Sequence, residues 1–221
     1  SHSSGIAFRA SHIGIDKYTM GCSSSKPPVL GESSSDGTDA EYKSRFDEGK
    51  ELGQGEFGVV KLVTDKSTGV TYASKCLRKG FVFKDNTLYP PQPPEEIKRE
   101  CDILRVLGGN HYSMKLEALY ETPAAIYVVT ELLSGGEMLD YVSETYEEGL
   151  RTEDASRMAY QMLDAVKHCA TNGIIHRDLK PENIMFKTKD AGADLKLIDF
   201  GCAARDDLSA GGGGPGHKKV V

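Results

Sequence analysis

His176-Arg177-Asp178-Leu179-Lys180-Pro181-Glu182-Asn183, followed by Asp199-Phe200-Gly201, sets two acids, a lysine and an amide at spacings suited to phosphoryl transfer. Moving a γ-phosphoryl group to a hydroxyl asks a protein for little covalent work. It asks instead for alignment of acceptor, triphosphate and magnesium, and for neutralisation of charge spread over phosphate oxygens. One amide and one carboxylate are hard oxygen ligands that leave room for water and phosphate around magnesium, as that ion prefers. Either motif alone is more often a solvated polar turn. With His, Arg, Asp, Lys and Asn fixed at their offsets, equal residue frequencies would produce such a match in 221 residues with a probability on the order of 10^-4.

Upstream, Leu52-Gly53-Gln54-Gly55-Glu56-Phe57-Gly58-Val59-Val60 contains G-x-G-x-x-G-x-V, whose glycines let a backbone approach phosphates that a Cβ would keep away. With 24 glycines in the chain, that spacing arises by chance about 0.3 times, so its context decides. Phe46 to Leu52 and Val59 to Val63 read as strands flanking the loop, whereas a dinucleotide fingerprint opens a helix. The segment is therefore a hairpin. A third strand, Val70 to Leu77, follows the turn Asp65-Lys66-Ser67-Thr68-Gly69 and carries Tyr72-Ala73-Ser74-Lys75. Next comes a helix: Pro94 suits its first position, Glu95 and Glu96 complement its N-terminal dipole, Ile97, Cys101, Leu104 and Leu107 make one apolar face, and Gly108-Gly109 stop it. Lys115 to Glu121 and Ile126 to Glu131 add two strands around Thr122-Pro123, completing a five-stranded antiparallel sheet with one helix.

Downstream, Thr152 is expected to cap a helix that carries Ala155, Ala159, Met162, Val166 and Cys169 at helical spacing and ends at Asn172-Gly173. Such a stripe is core rather than a metal or cofactor site. It delivers the chain to His176, read as a structural histidine. Strands from Ile184 to Phe186 and from Leu195 to Ile198 bracket the polar turn Lys187 to Ala193 and then present Asp199.

In order and wording, these motifs resemble the eukaryotic Ser/Thr protein kinases of the calcium/calmodulin-dependent group, and look most like calcium-dependent protein kinases. The resemblance covers about Phe46 to Val221. It implies an α+β, bilobed protein-kinase-like fold: a five-stranded antiparallel N-lobe sheet plus one helix over about 46–130, a hinge over about 131–136, and a mostly helical C-lobe, partial here, over about 137–221. It implies ATP and Mg2+ as cofactors. Asp178 would orient the acceptor hydroxyl and accept its proton, Lys180 would bring positive charge to the γ-phosphate, and Asn183 and Asp199 would hold magnesium. Lys75, in a match to A-x-K, would meet the α- and β-phosphates and pair with a glutamate on the next helix. Glu95 or Glu96 are alternatives for that partner, and the match to E-x-x-I-L through Ile103 and Leu104 favours Glu100. Leu52, Gly53, Gln54, Gly55, Glu56, Phe57, Gly58 and Val59 would cover the nucleotide, with Val60 and Ala73 as its roof and Met185 and Glu182 also beside it. Thr130 would guard the back of the adenine pocket, the backbones of Glu131 and Leu133 would bond the base, and Glu137 would approach the ribose. Ser134-Gly135-Gly136-Glu137-Met138-Leu139 matches a short helix after the hinge. By analogy, Glu137 and Glu182 favour protein or peptide substrates with Arg before the acceptor Ser or Thr, and Arg177 would bind a phosphate on the activation segment.

A hydrophobic fraction of 38% and a charged fraction of 27% describe a soluble globular chain, expected to be monomeric. Net charge of −6 argues against nucleic acid as a partner. Five cysteines without a C-x-x-C point to a reducing, cytoplasmic setting. Residues 1–45, rich in Ser, Gly, Asp and Pro, are expected to be disordered. Within them Met20-Gly21-Cys22-Ser23-Ser24-Ser25-Lys26 fits M-G-x-x-x-[ST], so either Gly21 and Cys22 are acylated for peripheral membrane contact or this is an ordinary serine-rich tail. The residues before Met20 are expected to be leader read through from upstream. The end at Lys218-Lys219-Val220-Val221 is expected to be a fragment boundary inside the activation segment, with Ser209 the one hydroxyl after Asp199. The chain contains no EF-hand loop pattern. The competing reading, from a different class, is a catalytically incompetent nucleotide-binding module or pseudokinase acting as a tethered interaction protein.

Overall fold

The computed structural model describes residues 37–54, 58–84, 87–108, 110–145 and 149–206. The acylation motif at 20–26, Gly55-Glu56-Phe57 of the glycine loop, Gly109, and the chain from Asp207 on, including Ser209, lie outside them.

The N-terminal half is a five-stranded antiparallel sheet. Its strands are β1 (Phe46–Gln54), β2 (Gly58–Asp65), β3 (Thr71–Arg78), β6 (Leu116–Glu121) and β7 (Ala125–Glu131), in spatial order β1-β2-β3-β7-β6. Between β3 and β6 come a small hairpin of β4 (Val82–Lys84) and β5 (Thr87–Tyr89), absent from the sequence reading, and helix α2 (Pro94–Leu107). Pro94 opens α2, Gly108 caps it, and Ile97, Cys101, Ile103, Leu104 and Leu107 are buried, so the apolar period did set its packing face. Ile97 and Cys101 pack on Leu77, Leu119 and Ile126 of the sheet.

Disorder through residue 45 is corrected at its end. Residues Asp39–Arg45 form helix α1, nucleated by a capping box in which Thr38 and Glu41 satisfy each other's backbone N–H groups. Average composition over the tail hides a signal that occupies four residues.

The C-terminal half contains α3 (Met138–Thr145), α4 (Thr152–Thr171), β8 (Ile174–Ile175), a 3-10 turn (Pro181–Asn183), β9 (Ile184–Phe186), β10 (Leu195–Leu197) and β11 (Ala204–Arg205). Three expectations are corrected here. Residues Ser134 to Glu137 precede α3 instead of joining it, because Ser134 and Gly135 donate their N–H groups to Lys187 and Phe186, and Glu137 bridges Met185. At Gly135 a Cβ would overlap the Thr188 carbonyl and Phe186, so only glycine permits this crossing. Thr152 is the first helical residue rather than the cap; Arg151 occupies that position without a side-chain cap and pairs with Asp154 at 2.6 Å. Finally, the buried face of α4 runs through Met158, Gln161, Ala165 and Cys169, while Ala159 is exposed and Ala155, Met162 and Val166 are half-buried. Apolar periodicity missed that face because its centre is polar: Gln161 accepts the Leu195 N–H at 2.9 Å and donates to Asp194 at 2.8 Å.

The main core joins α2, α4, β9 and β10 around Leu104, Leu107, Phe186, Leu197 and Phe200. Among the described residues no helix is long and apolar enough to cross a membrane. Ile126, fully buried in β7 against α2, tests the N-terminal core. Ile126→Ala is expected to lower unfolding free energy by about 2–5 kcal/mol, read as a shifted midpoint at unchanged slope in urea denaturation.

Candidate functional site

Two short strands assemble the centre. In the β9–β10 pair Ile184 lies opposite Leu197, and one step further the Ile198 N–H donates to the Asn183 carbonyl at 2.9 Å. The hairpin thus brings the end of His176-to-Asn183 beside the start of Asp199-Phe200-Gly201. Within the first segment, Asp178 Oδ2 accepts from Lys180 Nζ at 2.7 Å and from Asn183 Nδ2 at 3.0 Å, and Asn183 Nδ2 also donates to the Asp178 carbonyl at 2.8 Å. Burial pushes the Asp178 carboxyl up, but the Lys180 and Asn183 hydrogen bonds outweigh it and hold the net pKa below the ordinary carboxylate value. Its hydrogen bond to Asp178 holds Lys180 protonated, above the ordinary lysine range. With the amide nitrogen of Asn183 committed to Asp178, its Oδ1 is the side-chain atom left to act as a ligand. One amide oxygen and one carboxylate fit a magnesium ion that takes its remaining ligands from phosphate and water.

Arg177 and Asp199 have φ of 66° and 58°, the left-handed region that costs non-glycine residues about 1–3 kcal/mol. Surrounding hydrogen bonds hold them there. Arg177 Nε donates to the Cys202 carbonyl at 2.6 Å, and Asp199 Oδ1 accepts the Gly201 N–H at 3.2 Å. His176 is buried between them. Its Nδ1 accepts the Asp178 N–H at 3.3 Å, its Nε2 meets the Ile198 carbonyl at 3.1 Å, and its ring stands edge-on to Phe200 at 4.9 Å. This is the structural histidine expected from the sequence.

Lys75 on β3 and Glu100 on α2 line one pocket with Val60, Ala73 and Thr130. Among the described residues no ion pair closes directly between them. Burial raises the Glu100 pKa; the Lys75 charge opposes that, Asp199 reinforces it, and the nearby Phe200 backbone N–H lowers it again. Val60, Ala73 and Leu52 form an apolar roof with Leu62 and Leu132. Gly53 pairs with Val60 and Gln54 with Val59 across the β1–β2 hairpin. Gly58 has a nearer reason than phosphate approach, since a Cβ there would overlap the Cys76 carbonyl of β3.

Thr130 is buried opposite Ala73, Leu133 and Met185 are buried, and Glu182 is half-buried on the 3-10 turn. Glu137 is buried beside Met185. Glu131 gives its N–H to the Lys115 carbonyl at 3.0 Å. Its side chain does something sequence reasoning missed. Glu131 Oε1 pairs with Lys196 Nζ at 2.8 Å and accepts the Lys115 N–H at 2.8 Å, while Lys196 also donates to the Ser113 carbonyl at 3.2 Å. The Lys196 side chain is only 5% exposed. The available signal was a lysine between two leucines in a strand buried on both faces, which requires an ionic partner.

Comparison with known proteins gives a protein kinase domain match over residues 46–210. The chain is 38% identical over 175 residues to calcium-dependent protein kinase 14 of Oryza sativa subsp. japonica, covering 79% of this chain and 31% of that protein. It is 34% identical over 157 residues to calcium-dependent protein kinase 27 of Arabidopsis thaliana, covering 70% and 31% respectively. With calcium-dependent protein kinase 5 of Oryza sativa subsp. japonica it shares 37% over 153 residues, covering 69% and 26%. The chain spans less than a third of the length of these curated relatives.

Removing one partner of the interior ion pair leaves the other charge stranded, so Lys196→Met is expected to cost about 3–5 kcal/mol in denaturant unfolding, with the Glu131→Gln/Lys196→Met double variant recovering most of it. His176 supplies a pH test. Burial lowers its pKa from 6.5 despite the opposing Ile198, Asp199 and Asp178 interactions. The unfolded chain therefore takes up the proton first as pH falls. Stability from this group is complete above about pH 6.5 and is lost as pH falls toward the lower folded pKa. In His176→Gln the denaturation midpoint is expected to flatten over that acidic window.

Proposed function

This chain belongs to the protein kinase domain family, and on that premise we propose that it transfers the γ-phosphoryl group of magnesium-ATP to serine and threonine hydroxyls of protein substrates. The observation that carries the reading is the convergence of Asp178, Lys180 and Asn183 on one carboxylate, next to Asp199 across the β9–β10 hairpin. Magnesium, when bound by Asn183 and Asp199, neutralises phosphate charge and orients the triphosphate. Asp178, kept anionic, accepts a hydrogen bond from the incoming hydroxyl and aims it; its low basicity suits a transition state in which the hydroxyl proton leaves late. Lys180, now on Asp178, would supply its charge to the γ-phosphate, and Lys75 would hold the α- and β-phosphates. Val60, Ala73 and Leu52 would cover the base, while Thr130 would limit the depth of its pocket.

A preference for arginine before the acceptor rests on Glu182, half-buried in the same turn as Asn183. Glu137, buried beside Met185, suits the nucleotide side of its assignment better than the peptide side. The names of the relatives support a calcium-dependent protein kinase as the parent activity. A cytoplasmic location, with peripheral membrane contact through acyl groups on Gly21 and Cys22, rests on composition and the motif alone.

Titration calorimetry with Mg-ADP and transfer of radiolabelled phosphate to an arginine-containing serine peptide test the proposal together. Lys75→Met is expected to weaken nucleotide binding by about 10-fold or more. Asp178→Asn is expected to leave that affinity within about 2-fold and to cut transfer by about 10²–10⁴-fold. Tight nucleotide binding with no transfer by the unmodified protein would favour the binding-module reading, and absence of Mg-ADP binding would sink both.

A further inference from the structure

Residues 37–45 precede the matched span and cross the face of the sheet that looks away from the nucleotide pocket. Gly37 bridges Tyr120 and accepts the Glu121 N–H at 3.1 Å, pairing with the end of the edge strand β6. From there α1 lays Tyr42, 1% exposed, over the middle of the sheet. Its ring stacks on Tyr127 of β7 at 4.2 Å and meets Tyr120 of β6 edge-on at 5.5 Å, and its hydroxyl lies 3.0 Å from Ser74 Oγ of β3. Arg45 then ties the end of β2 to β6 through Asp65 at 2.8 Å and Glu117 at 2.7 Å.

Ser74 and Lys75 are consecutive on β3, so their side chains point to opposite faces. Ser74 sits under Tyr42 and Lys75 lines the pocket with Glu100. We infer that residues 37–45 are a positioning strap, in which Tyr42 braces β3 from behind and thereby steadies the presentation of Lys75 to the nucleotide. Ladders to β2 and β7 already fix the register of β3, so the strap acts on how firmly the strand is braced from its outer face. A buried hydroxyl pair is directional and costly to leave unmade, so it pins one residue. The outer cluster of Val63, Ala118, Tyr120 and Val129 supplies the adhesion, and the Tyr42–Ser74 contact supplies the alignment. The consequence for nucleotide binding rests on the kinase reading; the mechanical claim about β3 does not.

Hydrogen exchange by mass spectrometry and Mg-ADP calorimetry on Tyr42→Ala, Tyr42→Phe and Ser74→Ala separate the two. In Tyr42→Ala the peptide covering 71–78 is expected to exchange about 10-fold faster or more while α4, β9 and β10 keep their protection, and the Mg-ADP dissociation constant is expected to rise about 5-fold or more. Tyr42→Phe, which keeps the ring, and Ser74→Ala are expected to fall between Tyr42→Ala and the unmodified chain, and they carry the test if Tyr42→Ala does not fold. Unchanged exchange in β3, or acceleration spread evenly over both halves, overturns the strap. Failure of the unmodified chain to bind Mg-ADP overturns the kinase reading instead, with the exchange result still deciding the strap.

Discussion

The pairing of Ile184 with Leu197, extended by the hydrogen bond from the Ile198 N–H to the Asn183 carbonyl, is the constraint on which the rest of the centre depends. Every proposed phosphate and metal contact in the C-terminal half hangs from one end of that short hairpin. Sliding β9 by one residue would turn Met185 out of the core and separate Asn183 from Asp199, since a strand's side chains alternate. Six strand residues could not resist such a slip alone. They are held because Gln161 of α4 accepts the Leu195 N–H, and because Ser134 and Gly135 pair with the far side of β9.

Once register is set, local strain can be stored. Arg177 and Asp199 adopt conformations that ordinary side chains avoid, and both lie in the segments that the hairpin brings together. His176 links them without ionising: one ring nitrogen takes the Asp178 N–H and the other meets the Ile198 carbonyl. A charged imidazole would lose the acceptor role toward Asp178, which is why burial in this position and a lowered pKa belong together. Short β8 pairs with β11 on the far side, fixing where the chain enters His176 and where it leaves Cys202.

Much of this was legible in the residues. Strands, α2 and the glycine hairpin follow from periodicity and turn chemistry, because in those elements burial is apolar and local. What stayed hidden was polar or non-local. Gln161 occupies a core position on α4 because a backbone N–H from β10 needs an acceptor, and no period of apolar residues can announce that. Residues Ser134 to Glu137 resemble a helix start, yet their N–H groups are committed to β9 and its turn. Helix α1 escaped notice because its tail was judged by average composition, whereas Thr38 and Glu41 act by position. Likewise the spacing of Gly58 points to phosphate, while its immediate neighbour is the Cys76 carbonyl.

The buried Lys196–Glu131 pair clarifies how the two halves are joined. Interior ion pairs contribute little net stability, because desolvation offsets attraction, so economy of energy does not explain this one. Its geometry does. The segment from Asn110 to Lys115, which leaves α2, runs alongside β10: Leu197 donates to the Tyr112 carbonyl at 2.7 Å, Met114 donates back to Leu197 at 2.9 Å, and Lys196 reaches the Ser113 carbonyl. At the same place Glu131 receives Lys115 and Lys196 together. One ammonium therefore locks the exit of α2, the end of β7 and the strand that presents Asp199. Glu100 rides on α2, and Asp199 follows β10, so this joint is what relates the elements that carry the two carboxylates.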